Sequence, residues 1–381
     1  MMRILFALSV IALIALEIAL VYFIMPLPGS QGMRSIEAAY FLHTWRWPLR
    51  TILWAVVLTA AWPARRIAGW RKWLVPVSLV VVAGVTYLVN FQMSADRIFL
   101  QPRTLVMEPV ARNKVAKDRL VVGIEINGDA RAYPIQFIGY HHQVRDRVGG
   151  REVLISYCTV CRTGRVFTPV VNGHLETFRL VGMDHFNAMF EDQTTGSWWR
   201  QANGEAIVGP LKGMTLLEVP SRQAMLSEWL TLHSRSLVMQ GDPAAKDQYT
   251  KDYAFERGTS RKKLTGTDTL SWRNKSWVLG LTVNGHSKAY DWNRVRRERV
   301  VNDKISGVPI VLALASDDAS VFAFERPDAR TVFALRNDSL VAGDRAYDLS
   351  GSSDSGALTA LNVSQEFWHS WRTFQPGTER Y

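Results

Sequence analysis

Cysteine is scarce in this chain: Cys158 and Cys161 are the whole supply in 381 residues. One disulfide is the most they can form. A metal site using both must draw its other ligands from histidine or carboxylate. The sequence also lacks a P-loop, a dinucleotide glycine fingerprint and an H-E-x-x-H helix, which removes motif support for nucleotide-driven chemistry and zinc-dependent hydrolysis. Basic runs are missing from the larger part of the chain. The formal charge is +11, yet residues 1–75 carry eight Arg or Lys against two acids, and the remaining +5 is dispersed. That distribution argues for membrane topology plus a mildly basic soluble part, with no nucleic-acid partner. No small-residue cleavage site precedes Met25-Pro26-Leu27-Pro28, so the first apolar run reads as a retained span, not a removed signal peptide.

What the chain does have is long hydrophobic stretches near its start. Residues 4–25 hold a single charge, Glu17, and are long enough to cross a bilayer. A shorter run covers about 49–64, bracketed by Pro48 and Pro63, and a Val- and Leu-rich run covers about 73–92. These predict three transmembrane helices in a membrane domain, residues 1–93. Arg65, Arg66, Arg71 and Lys72, with no acid among them, place the loop between the second and third spans in the cytoplasm. Everything after about residue 94 is then outside, which in a bacterium is the periplasm, with the anchor in the inner membrane.

From Leu120 the sequence turns to short β-type runs separated by turn pairs. Val121 to Ile126 leads to Asn127-Gly128 and then Ala130-Arg131-Ala132-Tyr133, a strong hairpin signal. The same text recurs 157 positions later: Asn284-Gly285, Tyr290, Asp303, Gly307 and Phe324 match Asn127-Gly128, Tyr133, Asp146, Gly150 and Phe167. Gln223…Trp229 resembles Gln365…Trp371 at a shorter offset. The expected fold is therefore N-terminal transmembrane helices plus a mainly-β (β-rich α+β) soluble part made of two related units. The first unit spans 104–245, a polar linker 246–261, and a degenerate second copy 262–381. The copies differ where chemistry is expected. Cys158 and Cys161 face Ala315 and Asp318, and His141 and His142 face Glu298 and Arg299. The turn residues are kept for backbone reasons, and the thiols and imidazoles are not needed to fold the unit.

The centre of the first unit is Tyr157-Cys158-Thr159-Val160-Cys161-Arg162-Thr163-Gly164, read as strand, tight turn, strand. The residues after Cys161 make a poor helix start, which disfavours a thioredoxin fold. A C-x-x-C turn between strands can be half a metal knuckle, a redox pair or a structural disulfide. His141 and His142, on a segment read as extended, and Asp184 with His185 are the candidate partners. Convergence of those side chains would give a sulfur-plus-nitrogen set suited to zinc or copper over magnesium or calcium. Trp198, Trp199 and Arg200 form a second dense stretch. It is either a pocket wall with an anion-binding arginine or a strand with one tryptophan inside and one outside.

These residues carry a family resemblance. Asn127-Gly128-x-Ala130-Arg131-Ala132-Tyr133-Pro134, His141, Asp146, Gly149-Gly150 and Tyr157-Cys158-x-x-Cys161-x-Thr163-Gly164 resemble the domain-of-unknown-function family 3179. So do Gln193-Thr194-Thr195-Gly196-Ser197-x-Trp199-x-Gln201 and Gly204-x-Ala206-Ile207-x-Gly209-Pro210-Leu211, covering about 104–245. Thr159 stands where the family usually has proline, and His142 where it usually has an acid or similar residue. The resemblance implies the domain and its site, and names no reaction. The expected protein is thus membrane-anchored and periplasmic, with a Cys/His site for metal binding or redox chemistry. The alternative is a membrane-tethered interaction protein whose C-x-x-C is only a disulfide staple. The protein partner or small ligand is left open.

Overall fold

Residues 2–22 contain neither Pro nor Gly and are mostly Leu, Ile, Ala and Val, so nothing interrupts a helix until Pro26. In the structure, a computed structural model describing residues 1–66, 72–354 and 356–381, this stretch is helix α1, Met2–Tyr22. Helix α2 is Ile36–Ala64 and helix α3 is Leu74–Phe91. Among the described residues, α1 and α3 are long and apolar enough to cross a membrane. The expected second span is corrected. Its helix begins at Ile36, not after Pro48, runs on through that proline, and takes in Glu37, Arg46 and Arg50. Arg71 of the expected basic loop lies outside the described residues.

The chain forms two compact units. The first comprises Met1–Leu100, Thr177–Arg200 and Glu205–Met214. Its helices pack through Leu13, Val57 and Val82. Buried between them, Arg50 grips the Glu17 carboxylate with two bonds of 2.6 and 2.7 Å, and Asn90 bonds both residues. Separating one charge from its partner in an apolar bundle costs about 3–5 kcal/mol, whereas replacing both by apolar residues is often neutral. Glu17→Ala should therefore lower stability by about that much in detergent-based unfolding, and Glu17→Leu with Arg50→Leu should restore most of it. A single variant as stable as the parent would show that the pair holds nothing together. The rest of this unit is a four-stranded antiparallel sheet: Phe178–Asp184, Asn187–Asp192, Trp198–Arg200 and Ala206–Val208.

The second unit comprises Gln101–Glu176, Gln201–Gly204 and Thr215–Tyr381. Asn127 and Gly128, at φ of 51° and 80°, turn strand Leu120–Ile126 back onto Asp129–Pro134. Arg222–Met225 pairs antiparallel with the first of these strands, and Leu237–Met239 pairs parallel with the second. Helix Ile135–His141 then leads to three strands, Gln143–Val148, Arg151–Cys158 and Thr163–Phe167. The same order recurs further along. Trp277–Val283 and His286–Asp291 join through Asn284 and Gly285, at 51° and 76°. Val363–Phe367 and Glu379–Arg380 flank them, antiparallel and parallel. Helix Trp292–Glu298 precedes Val300–Ile305, Val308–Leu314 and Val321–Glu325.

The packing devices match as well. A Cβ on Gly123 would collide with the Trp229 ring, and one on Gly280 with the ring of Trp371. Tyr133 donates to Asp146 and Tyr290 to Asp303. Each half has its own core, one around Tyr133, Tyr157 and Trp229, the other around Trp277, Tyr290 and Phe367. The stretch expected to be a linker is held at several points. Glu256 takes hydrogen bonds from Arg119 and the Leu120 N–H, both at 2.7 Å, and Tyr249 packs on Phe137.

Candidate functional site

Strand Arg151–Cys158 ends on the first thiol, and Thr163 pairs opposite it to open the return strand. The intervening turn carries Cys161 and then Arg162, which sits at φ 58°. Both sulfurs are fully buried, and no disulfide joins them. The turn is clamped from the later half of the same unit. The Phe367 N–H donates to the Cys161 carbonyl at 2.9 Å, and Lys275 Nζ donates to the Val160 carbonyl at 2.7 Å and the Leu264 carbonyl at 2.6 Å. Arg162 is wholly buried, its guanidinium 3.6 Å from the centre of the Trp277 ring. It donates to the carbonyls of Phe255 and Glu256 and to the Gln365 side chain.

The feature with chemical content is His369. Its Nδ1 lies 2.9 Å from the Asn274 carbonyl. A carbonyl only accepts, so Nδ1 carries the proton and Nε2 is left with a lone pair. That Nε2 lies 4.0 Å from Cys161 Sγ. Burial lowers His369 to about 4, with the nearby charge of Lys275 adding to the effect, so the ring is neutral at neutral pH. Burial likewise lowers Lys275 to about 8, against the pull of the two cysteines. A neutral imidazole, oriented through its other nitrogen, turns its lone pair toward the thiol, and a conjugate acid near 4 suits it to relay the thiol proton, not to hold it.

Neither Lys275 nor His369 is evident from the motif. For His369 a signal exists in the internal comparison read in reverse. Position 369 aligns with Ser227 at the offset of the Gln223…Trp229 match, so the later half has an imidazole where the earlier half has a hydroxyl. Among the described residues, three buried polar atoms around the turn also lack a partner: Tyr157 Oη, Arg162 Nε and Gln365 Nε2. All three have protons to donate, so the local deficit is of acceptors.

The expected histidines occupy other positions. His141 ends the helix Ile135–His141, and His142 caps it at φ 61°, so the pair is not on an extended segment. His141 Nε2 lies 2.7 Å from Tyr249 Oη, and His142 Nδ1 lies 3.0 Å from the Tyr140 carbonyl. Asp184 and His185 belong to the first unit, where Asp184 bonds His185 at 2.6 Å and Arg200 at 2.7 Å. Trp198 and Trp199 are both buried there, donating to Glu191 and Asp192, each at 2.8 Å. The anticipated zinc or copper set is accordingly not assembled: among the described residues no group of three or more His, Cys, Asp or Glu is placed to hold a metal ion.

Burial has a pH consequence. His142 and His369 are both lowered from 6.5 to about 4, chiefly by burial. Between those values the unfolded chain binds protons that the folded protein does not, so stability falls as pH drops from about 6.5 to about 4. His369→Gln should remove its share of that slope, about 2–3 kcal/mol over the interval. Denaturant midpoints of parent and variant at a series of pH values measure it. Parallel curves would mean that His369 titrates alike in both states.

A family model described as "Protein of unknown function (DUF3179)" matches residues 103–378, so the match runs across both halves of the second unit. No curated protein and no solved structure matches the chain.

Proposed function

The chain belongs to the DUF3179 family of proteins of unknown function, and from that footing we propose that it is a membrane-anchored thiol–disulfide exchange protein. Cys161 is the attacking thiol, Cys158 the resolving one and His369 the proton relay. The observation that carries this reading is the 4.0 Å approach of His369 Nε2 to Cys161 Sγ, with Nδ1 committed to a backbone carbonyl. In the forward direction, Cys161 attacks one sulfur of a substrate disulfide as its proton passes by way of His369 Nε2 to the departing half. The released half leaves as a thiol, taking that proton. Cys158 then attacks the mixed disulfide, its proton leaves with the second half, and a Cys158–Cys161 bond remains. A staple-only role is disfavoured because the two cysteines are not bridged.

Residues 104–245 and 262–381 are read as two copies of one ancestral unit. The later copy gave up its own thiols and supplies Lys275 and His369 to those of the earlier one. Helices α1 and α3 are read as membrane spans, since Ile4, Leu8, Ile11, Val77, Val80 and Leu88 lie exposed on them. Arg65, Arg66 and Lys72 favour a cytoplasmic loop and an outer, periplasmic family domain.

Equilibrating the full chain in detergent with glutathione buffers and counting alkylatable thiols tests the chemistry. Both thiols should disappear together at a midpoint between about −270 and −120 mV. Thiols that stay alkylatable throughout, or stoichiometric zinc or copper in the purified protein, would count against exchange. A C-terminal reporter active only in the cytoplasm would reverse the orientation.

A further inference from the structure

Beside the C-x-x-C turn lies a cleft of about 800 Å³. Arg261, Lys262, Lys263, Arg273, Lys275 and Arg372 line it, against one carboxylate, Asp268. None of these six cations forms a salt bridge among the described residues. Elsewhere Arg119 and Arg131 have carboxylates at 2.7–2.9 Å, so the surplus here is local. A concave site lined by one sign of charge concentrates counter-ions and raises their on-rate by about 10–10³-fold.

The cleft shares its wall with the thiol site. Lys275 lines it, and its Nζ holds the Val160 carbonyl inside the turn. Asn274 lines it too, and its carbonyl fixes His369 Nδ1. The donor surplus continues behind the turn, at Tyr157 Oη, Arg162 Nε and Gln365 Nε2. The volume of the cleft is that of a small-molecule site.

We infer that this cleft binds the anionic groups of a small disulfide or thiol, carboxylate or phosphate, which is the exchange substrate of Cys161. The inference rests on the exchange reading above and names its substrate class. The reactant supplies the sulfur–sulfur bond that breaks, and each of its halves departs as a thiol.

The test uses three aliphatic disulfides of similar intrinsic reactivity on the full chain in detergent: dianionic dithiodipropionate, neutral bis(2-hydroxyethyl) disulfide and dicationic cystamine. Rates of loss of the Cys158–Cys161 thiols are divided by those of a small free thiol. The dianion should be favoured over the neutral reagent by about 10-fold or more, and added salt should shrink the ratio. Arg261→Gln, Lys262→Gln and Lys263→Gln together change exposed side chains. They should bring the ratio close to that of the free thiol. Equal normalised rates in the parent, a preference for cystamine, or a preference that survives the triple substitution would overturn the cleft assignment alone. Failure of all three reagents, with reaction on unfolding, would sink the exchange reading and this one with it.

Discussion

Cys161→Ser is expected to abolish the two-electron thiol couple while the protein stays folded. The couple needs both sulfurs, so its loss should be complete. Persistence of the fold is expected from the later half, where Ala315 and Asp318 stand at the corresponding places. There the Asp318 N–H bonds the Ala315 carbonyl at 3.2 Å and closes the turn with no sulfur present. Cys161 is wholly buried, so exchanging its thiol for a hydroxyl costs about 1–2 kcal/mol, a fraction of a domain's stability. Cys158→Ala copies what the chain already does at Ala315 and should behave alike. Redox titration beside circular dichroism separates the two effects. A couple surviving in the serine variant would contradict the pairing of Cys158 with Cys161, and a variant that cannot fold would contradict a chemical role without a structural one.

That contrast between the two halves is legible in the sequence because turns are local. Asn127-Gly128 and Asn284-Gly285 fix their hairpins with four residues, and the strands around them alternate as hairpin strands do. The C-x-x-C turn was readable for the same reason. The partners were not. His369 lies 208 residues from Cys161, and Lys275 lies 115 from Val160, so no window of sequence contains both sides of the site. The sequence predicts an extended segment at His141 and His142 because their helix is only seven residues long, too short for a helical period to stand out from flanking strands. Proline usually ends a helix, so the sequence predicts a span starting after Pro48; here the helix continues through it, with Leu53, Trp54 and Ala60 packed on its neighbours. The segment around Glu256 looked like solvated linker because its charge count gave no hint that Arg119 was waiting for it.

Arg162→Ala should be among the most destabilising single changes in the soluble part, at about 3–5 kcal/mol. The side chain is completely buried, yet its charge is accommodated without a carboxylate in direct contact. The faces of Trp277 and Phe255 lie 3.6 and 5.0 Å away, and three oxygens accept from its two terminal nitrogens. Truncation leaves those oxygens without their donor, empties the space under the Trp277 ring, and unties the earlier half's C-x-x-C turn from strand Val363–Phe367 of the later half. Arg162→Lys keeps the charge but loses the flat surface that stacks and the fork that reaches three acceptors, so it should recover less than half of the loss. Denaturant unfolding of Arg162→Ala, Trp277→Leu and the double variant gives the coupling directly. The two changes should fall short of additivity by about 1–2 kcal/mol, because either one already breaks the stack. A cost below about 1 kcal/mol for Arg162→Ala would place it among ordinary surface residues and remove the tie between the thiol turn and the later half.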